Sequence, residues 1–209
     1  MSNKNAATIE RKNQRLSQIK EEISDLQSSP LYDHRIENGY KPVIGEGNSE
    51  AEILLIGEAP GEKEALSGRP FVGRAGKVLD ELLHEINLNR DDVYITNIVK
   101  DRPPNNRDPR VSEIELYTPY LMEQIKTIEP EVIVTLGRFA MNFILKQFSL
   151  PEYGSTIGDI HGQLIKAETS FGAIDILPLY HPAAMFYNRS LEETLHQDFQ
   201  QLSRFVCAT

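Results

Sequence analysis

Cysteine is almost absent from this chain of 209 residues: the only one is Cys207, close to the end. One thiol excludes an intrachain disulfide framework and any four-cysteine metal site. Long apolar runs are missing too. No stretch approaches the length needed to cross a bilayer, and the opening MSNKNAATIERKNQRL has no apolar core of the signal-peptide kind. A cytoplasmic protein without membrane contact is therefore expected. Basic charge is scarce overall: 22 Lys and Arg face 31 Asp and Glu, giving a net charge of −9 and a pI near 5.1. This balance lowers the expectation of a nucleic-acid partner without excluding one, since a basic stripe on an acidic body still holds phosphates. Arg69, Arg74, Lys77, Lys100, Arg102, Arg107 and Arg110 cluster near the motifs described below, whereas Glu21, Glu22, Glu129, Glu131, Glu192 and Glu193 lie elsewhere. No internal repeat is evident.

What is present fits one compact domain with a short appendage. Hydrophobic residues make up 40%, an ordinary share for a globular chain. Residues 6–26 read as an amphipathic helix, with Ile9, Leu16, Ile19, Ile23 and Leu26 on one face. The division expected is an N-terminal helix over 1–28 and a main domain over 29–209. A polar stretch, roughly 28–50, shows no strong periodicity. Beyond it, short apolar runs at 52–57, 93–99, 132–137 and 174–180 alternate with helical patterns. Leu79, Leu82, Leu83 and Ile86 form one helical face, and Ile114, Tyr117, Leu121 and Ile125 another; 139–148 and 191–205 also read as helical.

Strands alternating with helices predict βαβ units, hence an α/β fold: a three-layer α/β/α sandwich around a mainly four-stranded parallel sheet. In such sheets the ligand crevice lies beyond the carboxyl ends of the strands. The residues at those ends are chemically unusual here. Gly57-Glu58-Ala59-Pro60-Gly61 follows the first strand, and Asn97 ends the second before the basic, proline-rich KDRPPNNRDPR. Gly137-Arg138 follows the third, and Tyr180-His181-Pro182 the fourth. A carboxylate, an amide, a guanidinium and an imidazole thus meet at one edge.

The segments GEAPGEKEALSGRPFVGRAGKVLD (57–80), VYITNIVKDRPPNNRDP (93–109), VIVTLGRFA (132–140) and YHPAAMF (180–186) resemble family 4 uracil-DNA glycosylases in order and spacing, from about Leu26 to the C-terminus. Four motifs together are far more specific than any one. The resemblance implies a monofunctional enzyme that flips uracil out of DNA and hydrolyses its N-glycosidic bond, leaving an abasic site. Phe71 matches the residue that stacks on the flipped ring and Asn97 the reader of its edge. His181 matches the histidine facing uracil O2, where negative charge grows as the base leaves. Glu58 matches the acidic residue beside the scissile bond, and Glu64 a supporting one. Gly57, Ala59, Pro60 and Gly61 would shape the loop around the base. Residues 183–189 match a loop that enters the minor groove, where Met185 or Phe186 would act as a wedge. Arg74, Lys100, Arg102, Arg107, Arg138 and Arg189 would contact DNA. The enzyme implied acts as a monomer on uracil-containing DNA.

Taken singly, each residue has an ordinary structural reading: core for Phe71, a turn cap for Asn97, a loop histidine for His181, a helix cap for Glu58. The joint match makes those readings improbable for Phe71, Asn97 and His181. Three other functions compete with the leading one: a non-catalytic uracil- or DNA-binding module, an enzyme acting on another deaminated base or a free nucleoside, and a structural partner protein using helix 6–26, which would leave the strand-end residues unexplained. One departure stands out. Family 4 enzymes usually hold a [4Fe–4S] cluster on four cysteines, and the matching positions are Leu26, Ser29, Asp101 and Tyr117. No metal or other cofactor is therefore expected. An apolar plug of Leu26, Leu31 and Tyr117, with a hydrogen bond from Tyr117 to Asp101, is the expected replacement, and Asp101 would bring negative charge to a phosphate-facing loop.

Overall fold

The computed structural model describes residues 3–206, so Cys207 lies outside the described residues. Six strands form one sheet: β1 (Glu46–Gly47), β2 (Ile53–Gly57), β3 (Tyr94–Asn97), β4 (Val132–Leu136), β5 (Ile165–Thr169) and β6 (Gly172–Leu179). Their order is β1-β3-β2-β4-β6-β5. The four apolar runs of the sequence are the parallel centre, β3-β2-β4-β6. Sequence reasoning missed the two edges, which are antiparallel. β1 is two residues inside a polar stretch, too short for a period. β5 is half exposed, with buried and exposed residues alternating, as an edge strand wet on one face should be.

Helices cover both faces. In chain order they are α1 (Asn3–Ser24), α2 (Tyr32–Glu37), α3 (Glu62–Ser67), α4 (Arg74–Glu85), α5 (Val111–Ile128), α6 (Arg138–Gln147), α7 (Ile157–Ile160) and α8 (Leu191–Phe199). Successive residues of a strand face opposite ways. Leu54, Ile56, Ile133 and Ile176 accordingly share a core with α1, α5 and α6. Ile53, Leu55, Val134 and Leu177 share the other with α4 and α8. Ile19 and Ile23 of α1 are fully buried against α5, each contributing ~1.5–3 kcal/mol. Lys12 Nζ donates to the Ile128 carbonyl at 3.0 Å, and Arg15 pairs with Glu123 at 3.2 Å, which fixes α1 along α5.

Leu26, Leu31 and Tyr117 share one apolar core and Tyr117 bonds Asp101, as expected, but three of the four positions matched to cluster cysteines also join a polar network that was not expected. Tyr117 is fully buried on α5 and donates to Asp101 Oδ2 at 2.6 Å, and its hydroxyl lies 2.8 Å from Ser29 Oγ. Arg35 of α2 joins them, with Nη1 3.2 Å from Asp101 Oδ1 and 3.1 Å from the Ile23 carbonyl, and Nη2 2.7 Å from the Ser24 carbonyl. Leu31 is buried beneath this network and Leu26 is partly buried against the same core. Burial holds the Asp101 carboxyl above its usual range, with the Tyr117 and Arg35 contacts pulling it back. Asp101 is 1% exposed, so it faces Arg35 and not a phosphate. The joint is ionic and hydrogen-bonded, resting on an apolar base.

Candidate active site at the carboxyl edge of the sheet

β2 and β3 end level, with Gly57 opposite Asn97. This sets the floor of the site. A Cβ on Gly57 would lie 2.4 Å from Asn97 Oδ1 and 2.7 Å from Phe71 Cζ, so only glycine admits the amide and the ring together. The chain after Asn97 is tied back by Ile98 N–H to the Gly57 carbonyl at 2.9 Å and Val99 N–H to the Glu58 carbonyl at 3.0 Å.

Phe71 is 7% exposed and sits at φ 49°, a left-handed conformation that a bulky residue adopts only when surroundings force it. Three contacts do so. Glu64 Oε1 accepts the N–H groups of Val72 and Gly73 at 2.9 and 2.7 Å. Arg90 donates to the carbonyls of Pro70 and Phe71 at 2.6 and 3.1 Å. Gly76 of α4 lies so close beneath that a Cβ there would overlap the Phe71 carbonyl oxygen at 1.7 Å. The ring is thereby stacked near the His181 imidazole, centroids 5.7 Å apart at 28°.

His181 opens the 3₁₀ turn Pro182–Phe186. Its Nδ1 accepts the Ala183 N–H at 3.1 Å, which leaves the ring proton on Nε2. Burial lowers the imidazole to about 4, against an opposing pull from the Glu64 charge. At neutral pH it is a neutral ring with one N–H to give. Glu58 is shifted the other way. Burial raises its carboxyl to about 7, the Asp108 charge adds to this, and Arg138 opposes it. Two titratable groups in one cleft are thus driven apart in opposite senses, which marks functional sites.

A cleft of about 650 Å³ joins these groups. Glu58, Ala59, Pro60, Gly61, Glu64, Phe71, Asn97 and His181 all line it, together with Arg74 and Arg107. Gly57 lies beneath. The remaining sequence candidates divide. Arg74, Arg138 and Arg189 are exposed, Arg74 covering the Phe186 ring at 4.3 Å and Arg138 sitting 3.7 Å from Asp108. Arg102 is partly buried, donating to Tyr40 Oη at 2.7 Å and Asn106 Oδ1 at 2.9 Å. Arg107 forks onto the buried Glu113 carboxylate. Lys100 departs from expectation entirely: it is fully buried and cannot meet DNA from there. Met185 packs partly buried against the second core, while Phe186 is 39% exposed.

Sequence reasoning overlooked Tyr187, Asp108 and Arg90. Tyr187 is 91% exposed at the rim, an aromatic residue one position past the expected wedge. Asp108 lay within the basic run and was masked by it. Arg90 stands in a polar connection where nothing local signals its reach to Pro70 and Phe71. Among the described residues no group of three or more His, Cys, Asp or Glu is placed to hold a metal ion. No helix among them is long and apolar enough to cross a membrane.

Comparison with known proteins agrees with this geometry. The sequence profile of the uracil DNA glycosylase superfamily matches residues 44–203. The Type-4 uracil-DNA glycosylase of Archaeoglobus fulgidus is 45% identical over 187 residues, covering 90% of this chain and 91% of that protein. The Type-4 enzyme of Saccharolobus solfataricus is 44% identical over 188 residues, covering 90% and 84%. The Type-5 uracil-DNA glycosylase of Pyrobaculum aerophilum is more distant, 30% identical over 172 residues, covering 74% and 72%.

Proposed function

This chain belongs to the uracil DNA glycosylase superfamily, and on that footing we propose that it removes uracil from DNA through the residues of this cleft. It hydrolyses the N-glycosidic bond and leaves an abasic site. The observation that carries the reading is the neutral His181, its Nε2 proton available, in one cleft with the Asn97 amide, the Phe71 ring and the raised Glu58 carboxyl.

The extruded base lies against Phe71, and Asn97 pairs with its edge as both donor and acceptor. As the C1′–N1 bond breaks, its electron pair leaves with uracil and O2 becomes negative. His181 donates to that oxygen, and a neutral donor suits an anion better than an imidazolium that would protonate it. Removing one such donor costs about 100- to 1,000-fold in rate. The ionised Glu58 faces the sugar, stabilises its growing positive charge, orients water toward C1′ and accepts the proton that water loses. Glu64 positions Phe71 through the Val72 and Gly73 amides. Arg74 lines the cleft and Arg138 stands beside its Asp108, and with the exposed Arg189 they are the guanidiniums offered to phosphates, while the exposed Phe186 and Tyr187 are the aromatic side chains offered to the duplex. The cleft is complete within one chain, which supports action as a monomer, and a cytoplasmic place beside DNA suits it.

No step needs iron. Leucine, serine, aspartate and tyrosine at the cluster positions offer no thiolate, and three of them satisfy one another and Arg35. The protein works without a cluster on this reading. The test is a uracil-containing oligonucleotide, single-stranded or paired, followed by alkali, with iron measured on the same preparation. Cleavage at uracil by iron-free protein, falling steeply in Asn97→Ala and His181→Ala, is expected. Folded protein that binds but does not cleave would replace this reading with a binding module, and activity strictly proportional to iron would overturn the cluster-free state.

A further inference from the structure

One buried charge has no part in that mechanism. Lys100 is fully buried, and no carboxylate among the described residues pairs with it. Its Nζ instead lies 2.7 Å from Thr96 Oγ1, 2.7 Å from the Asn97 carbonyl and 2.6 Å from Gln124 Oε1. All three can only accept. The Thr96 hydroxyl spends its proton on the Ile44 carbonyl at 2.7 Å, and the Gln124 amide nitrogen spends its own on Ile44 and on Tyr94 Oη. Three acceptors ask for three hydrogens, so the arrangement is complete only for an ammonium. Burial works against that charge and lowers the Lys100 pKa well below its usual value. An apolar side chain of the same length would avoid this penalty altogether. What the ammonium does that such a residue cannot is hold the carbonyl of Asn97 and couple it to α5 through Gln124.

We propose that Lys100 is a positioning residue for Asn97, its ammonium fixing the peptide from which the base-reading amide projects. The amide stands within 2.4 Å of where a Cβ on Gly57 would lie and shares that space with Phe71, so a small rotation of the Asn97 peptide moves it off the base. The inference rests on the glycosylase reading and goes beyond it by assigning a residue that never touches substrate.

A double-mutant cycle tests it. Lys100→Met lowers kcat for uracil release by about 100-fold, the loss typical of a misplaced reacting group, with KM little changed. In the Asn97→Ala background the same substitution changes kcat by about twofold or less, because the group it positions is gone. Equal losses in both backgrounds would overturn the proposal. Should Lys100→Met fail to fold, the unsubstituted protein decides. Labelled with ¹⁵N-lysine, it gives a slowly exchanging Nζ signal that shifts when a uracil-containing oligonucleotide binds, whereas the Asn97→Ala protein binds without that shift. No shift in either protein, or the same shift in both, would also overturn it. Unsubstituted protein that binds the oligonucleotide without cutting it refutes the glycosylase reading alone, and the nitrogen signal still judges Lys100.

Discussion

Replacing Arg35 by methionine asks whether the joint between α2, the loop after β3 and α5 is held by charge. Arg35 and Asp101 are 3% and 1% exposed. The guanidinium reaches Asp101 Oδ1 at 3.2 Å and Oδ2 at 3.4 Å, and the carbonyls of Ile23 and Ser24 at 3.1 and 2.7 Å. Methionine fills much of the space but makes none of these contacts, and Asp101 keeps only the Tyr117 hydroxyl. A buried charge stripped of its partner costs about 3–5 kcal/mol. At about 2–4 °C per kcal/mol for a chain of this size, Tm falls by roughly 6–20 °C. The dependence on pH has a definite direction. Asp101 already has a folded-state pKa above the ordinary value, and loss of Arg35 removes one of the influences that lowers it. A carboxyl whose folded pKa exceeds its unfolded pKa favours the folded state when protonated and opposes it once ionised. The Arg35→Met deficit is therefore full above the folded pKa and shrinks as pH falls through it. Urea denaturation followed by circular dichroism, repeated as pH is lowered through the Asp101 titration, reads both quantities. A deficit below ~1 kcal/mol, the scale of an exposed pair, would refute the argument, as would one that does not change with pH.

Glu58 should set the acid limb of activity: kcat/KM rises with pH through about 7 as the carboxyl ionises, and Glu58→Gln flattens the profile. Arg138→Gln should move that limb to higher pH and Asp108→Asn to lower pH, since the two charges act on Glu58 in opposite senses. Shifts in the same direction, measured from pH–rate profiles, would contradict this. Gly57→Ala drives a methyl into Asn97 and Phe71, so activity falls about 100-fold. Thermal melting of that variant should show a loss of only ~1–3 kcal/mol, the scale of local overpacking.

The parallel centre of the sheet and the residues at its carboxyl edge were legible because both are written locally. A fully buried strand is a short apolar run, and the switch to Gly, Asn, Arg or His at its end is visible without any partner. β1 was not legible, being two residues whose only signal is pairing with β3. Lys100 failed for a different reason. It stands beside Asp101, Arg102 and two prolines, the composition of a solvated loop, and its acceptor Gln124 is 24 residues away on another element. Arg35 lies in an aperiodic polar stretch, so its burial against Asp101, 66 residues on, left no trace in the pattern. The 3₁₀ turn carries Met185 toward the second core and leaves Phe186 and its neighbour Tyr187 exposed, a split between the two expected wedge residues that composition alone does not show. Direction in so short a turn depends on where its first residue is anchored, and Ala183 N–H to His181 Nδ1 supplies that anchor only in three dimensions.

The left-handed backbone at Phe71 has a bearing on how this protein would respond to laboratory evolution. That conformation costs on the order of 1–3 kcal/mol for a bulky side chain and almost nothing for glycine. Glycine there would relieve that strain but empty a site in the second core that is only 7% exposed. That loss, about 3–5 kcal/mol, outweighs the relief, so a library screened for survival on heating keeps a large apolar residue at position 71. Heat tolerance and turnover therefore pull the same way at position 71, and the strained backbone persists because the buried ring outweighs it.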